Sequence, residues 1–109
     1  MLLSFKEFFE LGYWKIVKLL SKNLNNNSHY KYFYTSNFSL SEEFYQDKII
    51  LDIGCGPRGS LEWADMAKER IGLDPLAEHY IKMGAKDHKM TYIKAYVENI
   101  TFPDNYFDV

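Results

Sequence analysis

The apolar run Ile49-Ile50-Leu51 ends in Asp52 and is followed by glycines at 54, 56 and 59. A short β-branched run of this kind has the character of a central parallel strand covered on both faces. Glycines allow the next turn to take positive φ and to approach a ligand closely. Their spacing fits G-x-G-x-x-G, the fingerprint of a dinucleotide site. Asp52, however, puts a negative charge at the mouth of the loop, where a pyrophosphate would be repelled.

The flanking sequence supplies the rest of an α/β pattern. Leu61 to Arg70 is rich in helix formers, with Leu61, Ala64, Met66 and Ala67 available for packing. "RIGLD" predicts a second strand. Pro75 suits the first turn of a helix running to about Met83 and ending near Gly84. "MTYIKAYV" predicts a third strand, "NITFPDN" a loop, and "YFDV" the start of a fourth strand. This order begins a doubly wound sheet. It stops as the fourth strand starts, so the chain reads as the N-terminal portion of a longer enzyme, with an incomplete sheet.

Ahead of the first strand, Ser4-Phe5-Lys6-Glu7 is a capping-box pattern. Phe5, Phe8, Phe9, Gly12, Ile16, Leu19 and Leu20 recur at helical spacing, which predicts a helix from Phe5 to about Lys22 that covers one edge of the core. The asparagine-rich stretch from Asn23 to Ser28 reads as a loop. "YKYFYTSNF" follows, then Ser41 as N-cap of a short helix through Tyr45. Residues 1–46 are expected to form a helical and aromatic cap, and 47–109 the ligand-binding domain.

Bulk properties narrow the function. In 109 residues there is room for one core, and the formal net charge of −2 does not suit a chain built to neutralise nucleic-acid phosphates. The single cysteine excludes an internal disulfide and fits a reducing cytoplasm. Charged residues interrupt the apolar N-terminus, so neither a signal segment nor a membrane span is expected. His29, His79 and His88 lack zinc-ligand spacing and are expected at the surface. Cys55 has no histidine partner in sequence and reads as filler in the loop rather than as a nucleophile.

The carboxylates point to a ligand. Asp74 follows Gly54 at about the ~20-residue distance of a group that accepts from a ribose diol. Asp52 favours positive charge near the loop, such as an amino group close to a sulfonium. S-adenosylmethionine (SAM) carries a ribose, an adenine, a sulfonium and an amino-acid tail without phosphate, and it fits these charges better than NAD.

"LDIGCGPRG" resembles the first motif of class I SAM-dependent methyltransferases, and "GLDP" their acidic second-strand end. "VENITFPDNYFDV" is similar to the segment that leads into strand four in the small-molecule, type 11-like group. The resemblance covers about Lys48 to Val109 and implies a Rossmann-like fold and SAM as cofactor. It further implies that Asp52, Gly54 and Gly56 line the methionine part, that Asp74 binds the ribose hydroxyls, and that Leu76 packs near the adenine. Cys55 and Pro75 belong to the same cofactor-binding set. The family often has an aspartate that meets the adenine amino group where this chain has Tyr96, so adenine binding falls to the backbone around Val97 or to Glu98. "GPRGS" also departs from the shorter family turn. Arg58 there answers a carboxylate of the cofactor or of Glu62, or is solvated, the last being preferred.

Tyr30, Tyr32 and Tyr34 either lend hydroxyls to a lid over the site or pack as a strand with one buried face. The expected activity is methyl transfer to a small-molecule acceptor that the chain does not identify, with no assignable general base. The rivals are a non-catalytic SAM-binding or scaffold fragment, and an NAD-dependent oxidoreductase disfavoured by Asp52.

Overall fold

The computed structural model describes residues 3–21, 24 and 26–109. The expected helix end at Lys22 and the loop positions Asn23 and Asn25 lie outside the described residues. Helix α1 spans Phe5–Ser21. Its start is set by the expected box: the Glu7 amide donates to Ser4 Oγ at 3.1 Å, and the Ser4 amide donates to Glu7 Oε1 at 3.2 Å.

The face that α1 buries is not the one its periodicity suggested. Phe5, Phe8, Phe9, Ile16, Leu19 and Leu20 are all exposed, Phe5 by 85%. The helix docks instead through Leu11, which is buried with Leu24, Leu76, Tyr80, Met83 and Ala85, while Leu3 and Trp14 pack against that cluster. The reason lies in distant polar partners. Tyr80 Oη donates to Glu10 Oε1 at 3.4 Å, Lys18 Nζ donates to the Met83 carbonyl, and Tyr96 Oη donates to the Glu7 carboxylate. All three ties turn the Leu11 side inward.

Helix α2 spans Ser28–Tyr34, so Ser28 starts a helix and the aromatic segment is not a strand. Its rings meet at helical spacing, His29 against Phe33 and Tyr30 stacked on Tyr34. Two 3₁₀ turns follow, Ser36–Phe38 and Glu42–Tyr45, the second led by an extended Ser41 without a side-chain cap bond.

Among the described residues the sheet has three parallel strands, β1 (Ile49–Ile53), β2 (Glu69–Leu73) and β3 (Thr91–Ile93), in the order β1-β2-β3. The register sets Asp52 beside Gly72, and Ile53 beside Leu73 and thence Ile93. The carboxyl ends therefore fall level, which brings the glycine loop and Asp74 to one edge. The Leu51 amide donates to the Val109 carbonyl at 3.0 Å, and the Asp108 amide to the Ile49 carbonyl at 2.9 Å. The "YFDV" segment, expected to begin a fourth strand, thus runs beside β1 through these bonds without forming a strand of its own. β3 is shorter than "MTYIKAYV", because the chain leaves the sheet after Ile93 and reaches Glu7 with Tyr96.

The helix expected over Leu61 to Arg70 does not form; the segment is a series of turns, and Arg70 belongs to β2. Two carbonyls that such a helix would use are taken by side chains. Trp63 Nε1 donates to the Ser60 carbonyl at 2.9 Å, and an Arg70 guanidinium N–H to the Glu62 carbonyl at 3.0 Å. Leu61 and Ala64 nonetheless enter the core with Tyr45 and Ile50. Helix α3, Ala77–Lys82, follows Pro75 and ends before Gly84, whose φ is +111°.

Candidate cofactor site

The loop after β1 depends on its glycines. Gly54, Gly56 and Gly59 have φ of +71°, +67° and +76°. At Gly59 there is also no room, since a Cβ would lie 2.7 Å from His88 Cγ. The Gly54 amide donates to the Leu73 carbonyl at 2.7 Å, which closes the loop against β2. The Gly59 amide donates to Tyr92 Oη at 3.0 Å, and that oxygen lies 2.9 Å from His88 Nδ1. His88 is therefore a buried support of the loop and not the expected surface residue. His29 and His79 are half-buried.

Asp74 follows β2 and is aimed by the backbone. The Gly56 amide donates to its Oδ2 at 3.1 Å and the Leu76 amide to its Oδ1 at 3.0 Å. Each carboxylate oxygen keeps a further lone pair, so the group can still accept from a diol. Asp74, Gly54, Pro75 and Leu76 form one wall of a cavity of about 610 Å³. Ser4 and the first turns of α1, with Lys6, Glu7 and Glu10, also line it, and Tyr96 completes the lining.

Of the residues expected to bind a cofactor, Gly54, Asp74, Pro75 and Leu76 meet at this cavity. Asp52, Cys55 and Gly56 belong to the strand end and loop that carry it. Val97 and Glu98 sit in an exposed 3₁₀ turn after Tyr96 and do not line it. Glu7 and Glu10 escaped the sequence reading, although the capping box had already marked Glu7. Their signal is a pair of carboxylates on the side of α1 away from the apolar stripe.

Asp52 accepts from Tyr34 Oη at 3.1 Å and from the Ser60 hydroxyl. Burial pushes its carboxyl above the ordinary carboxylate value, partly offset by those two bonds, and Asp74 adds to the rise. Cys55 is buried, and burial together with the Asp74 and Asp52 charges pushes its thiol up, which removes nucleophilic character. Arg58 is half-buried and lies over the Trp14 ring at 4.9 Å, so it is not merely solvated. Among the described residues, no group of three or more His, Cys, Asp or Glu is placed to hold a metal ion. No helix among them is long and apolar enough to cross a membrane.

Two features bear on the ligand. Among the described residues, the glycine loop runs into turns and not into a helix. The cavity carries, among the described residues, Glu7, Glu10 and Asp74 against one cation, Lys6. Such a set suits hydroxyl and amino donors rather than phosphate. The sequence profile of a family described as a methyltransferase domain matches residues 51–109. This chain belongs to the class I SAM-dependent methyltransferases of the type 11 family. No curated protein and no solved structure matches it. In this methyltransferase the three parallel strands preceded by helices form a partial Rossmann-like fold.

Proposed function

We propose that this methyltransferase chain binds SAM in the cavity between α1 and the ends of β1 and β2, and serves methyl transfer to a small-molecule acceptor. The observation that carries this reading is Asp74, buried and fixed by the Gly56 and Leu76 amides at the wall of that cavity. When bound, SAM supplies a methyl group on a sulfonium, open to in-line displacement.

The chain's own residues hold and orient. Asp74 receives the ribose hydroxyls, and Pro75 and Leu76 offer an apolar surface to the purine. Gly54, Cys55 and Gly56 admit the amino-acid tail through backbone that no side chain crowds. Asp52 complements its positive charge, and Val97 and Glu98, in the turn beside Tyr96, approach the purine end from outside the cavity lining. The contribution to rate is positioning and exclusion of water. No residue is assigned as a general base, which is needed only where the acceptor must lose a proton.

Calorimetric titration of the chain with SAM, S-adenosylhomocysteine and NAD, repeated on Asp74→Ala, tests this. Binding of both adenosyl ligands but not NAD, weakened at least roughly tenfold by the substitution, is expected for a lost pair of charged hydrogen bonds. Binding that Asp74→Ala leaves unchanged would refute the assignment. So would NAD binding as tightly as SAM. SAM binding without turnover of any acceptor would favour a non-catalytic SAM-binding fragment.

A further inference from the structure

The α1 side of the cavity raises a question that the glycine loop does not answer. Glu7 is already bound into the cap of α1, accepting at Oε1 from the Ser4 amide, yet it is also the target of a residue 89 positions away. Tyr96 Oη lies 3.1 Å from Glu7 Oε1 and 3.0 Å from Oε2. A phenol has one proton to give, so it satisfies one of these oxygens at a time, and an ionised carboxylate has about four lone-pair sites. Glu7 therefore keeps acceptor capacity after the Ser4 and Tyr96 donors are served, chiefly at Oε2. It faces a cavity shared with Asp74 and Leu76.

We propose that the Glu7 carboxylate, positioned by the Tyr96 hydroxyl, accepts from the exocyclic amino group of the cofactor's adenine. α1 then recognises the purine as well as covering the site. This rests on the cofactor site proposed above. With Asp74 given to the ribose and Pro75 and Leu76 to the ring face, the amino group needs an acceptor elsewhere on the cavity wall. Two carboxylates stand there, Glu7 and Glu10. Glu10 accepts one longer bond, 3.4 Å from Tyr80 Oη, whereas Glu7 is fixed from two sides. The Ser4 amide and side chain, and then Tyr96, hold the Glu7 carboxyl below its ordinary value and so keep it ionised and acceptor-only near neutrality. A 6-oxo purine would present an oxygen to that carboxylate, which costs the hydrogen bond and adds repulsion.

The test compares binding of S-adenosylhomocysteine with S-inosylhomocysteine, in which the amino group is replaced by oxygen. The wild-type chain is expected to prefer the adenosyl ligand by roughly tenfold or more, as for a hydrogen bond to a charged group. Glu7→Gln should bring the ratio below about threefold, and Tyr96→Phe should lie between, on the same scale. Lys18→Met removes the tie of α1 to the Met83 carbonyl, away from the cavity lining and from Glu7, and should leave the ratio in place. A ratio unchanged in Glu7→Gln, or shifted as far by Lys18→Met or Glu10→Gln, overturns the proposal while the cofactor site stands. Equal wild-type affinity for the two ligands overturns it as well. Failure of the wild type to bind S-adenosylhomocysteine overturns the cofactor site, and this inference with it.

Discussion

The Tyr34 hydroxyl donates to Asp52 Oδ1 at 3.1 Å and so joins α2 to the mouth of the glycine loop. Both partners are half-buried, and the Tyr34 carbonyl in turn accepts from the Tyr45 hydroxyl. Tyr34→Phe removes one of the two side-chain donors to Asp52. The expected loss of stability is about 1–2 kcal/mol by urea denaturation, the scale of a hydrogen bond to a partly buried charged group. In an Asp52→Asn background the same change should cost less, because the charge it served is gone.

The pH dependence of stability follows from the same carboxylate. Burial holds the folded-state pKa of Asp52 above its ordinary 3.8, so the folded state binds more protons than the unfolded state in the interval between. Its favourable contribution is full below 3.8 and is lost as pH rises through the folded value. Wild type minus Asp52→Asn, measured by denaturation at several pH values, should therefore become less favourable from acid toward neutral pH. A difference that grows with pH would contradict the burial argument.

His88 gives the opposite slope. Burial pulls its pKa below the ordinary 6.5, although Glu62, Asp87 and the Leu24 backbone pull the other way. The unfolded state then binds the extra proton, and the contribution of neutral His88 is present above 6.5 and lost as pH falls through the folded value. An NMR titration should find its imidazole protonating below 6.5.

Gly72 sits in β2 with ordinary backbone angles, so its constraint is space alone. A Cβ there would lie 2.5 Å from Met90 Cε and 2.6 Å from Cys55 Sγ. Gly72→Ala should cost about 1–3 kcal/mol by overpacking and lower the melting temperature. Met90→Ala in the same chain should recover only part of this, since Cys55 Cβ is also 3.0 Å away.

Cys55 should react with a bulky thiol reagent at the rate at which the chain opens. It is 4% exposed and its thiol is held neutral by burial. Labelling at mildly alkaline pH should be slow in buffer and fast in denaturant.

These residues also show what a sequence can reveal. Gly54, Gly56, Gly59 and Asp74 were legible because each answers a local demand, for positive φ or for charge at a strand end. α1 was legible as a helix but not in its orientation: it carries apolar residues on two sides, and its partners Tyr80, Met83 and Tyr96 lie 65–89 residues away. The segment from Leu61 to Arg70 has helix propensity, yet the Trp63 indole and the Arg70 guanidinium take its carbonyls. His88 looked like a surface residue because nothing nearby announces that Tyr92 and the Gly59 turn close over it. Local rules found the floor of the site, and long-range pairs decided its roof.

The way α1 is held has a thermodynamic corollary. Its docking rests on Leu11, Trp14 and three side-chain ties, with much of its apolar surface left outside. Any molecule that touches both α1 and the Gly54–Leu76 wall binds the docked arrangement and not the lifted one. By mass action it favours docking by about 2.7 kcal/mol at a hundredfold excess over its dissociation constant. Backbone amides of α1 that depend on docking would then exchange with solvent about a hundredfold more slowly, making this helix a gauge of occupancy.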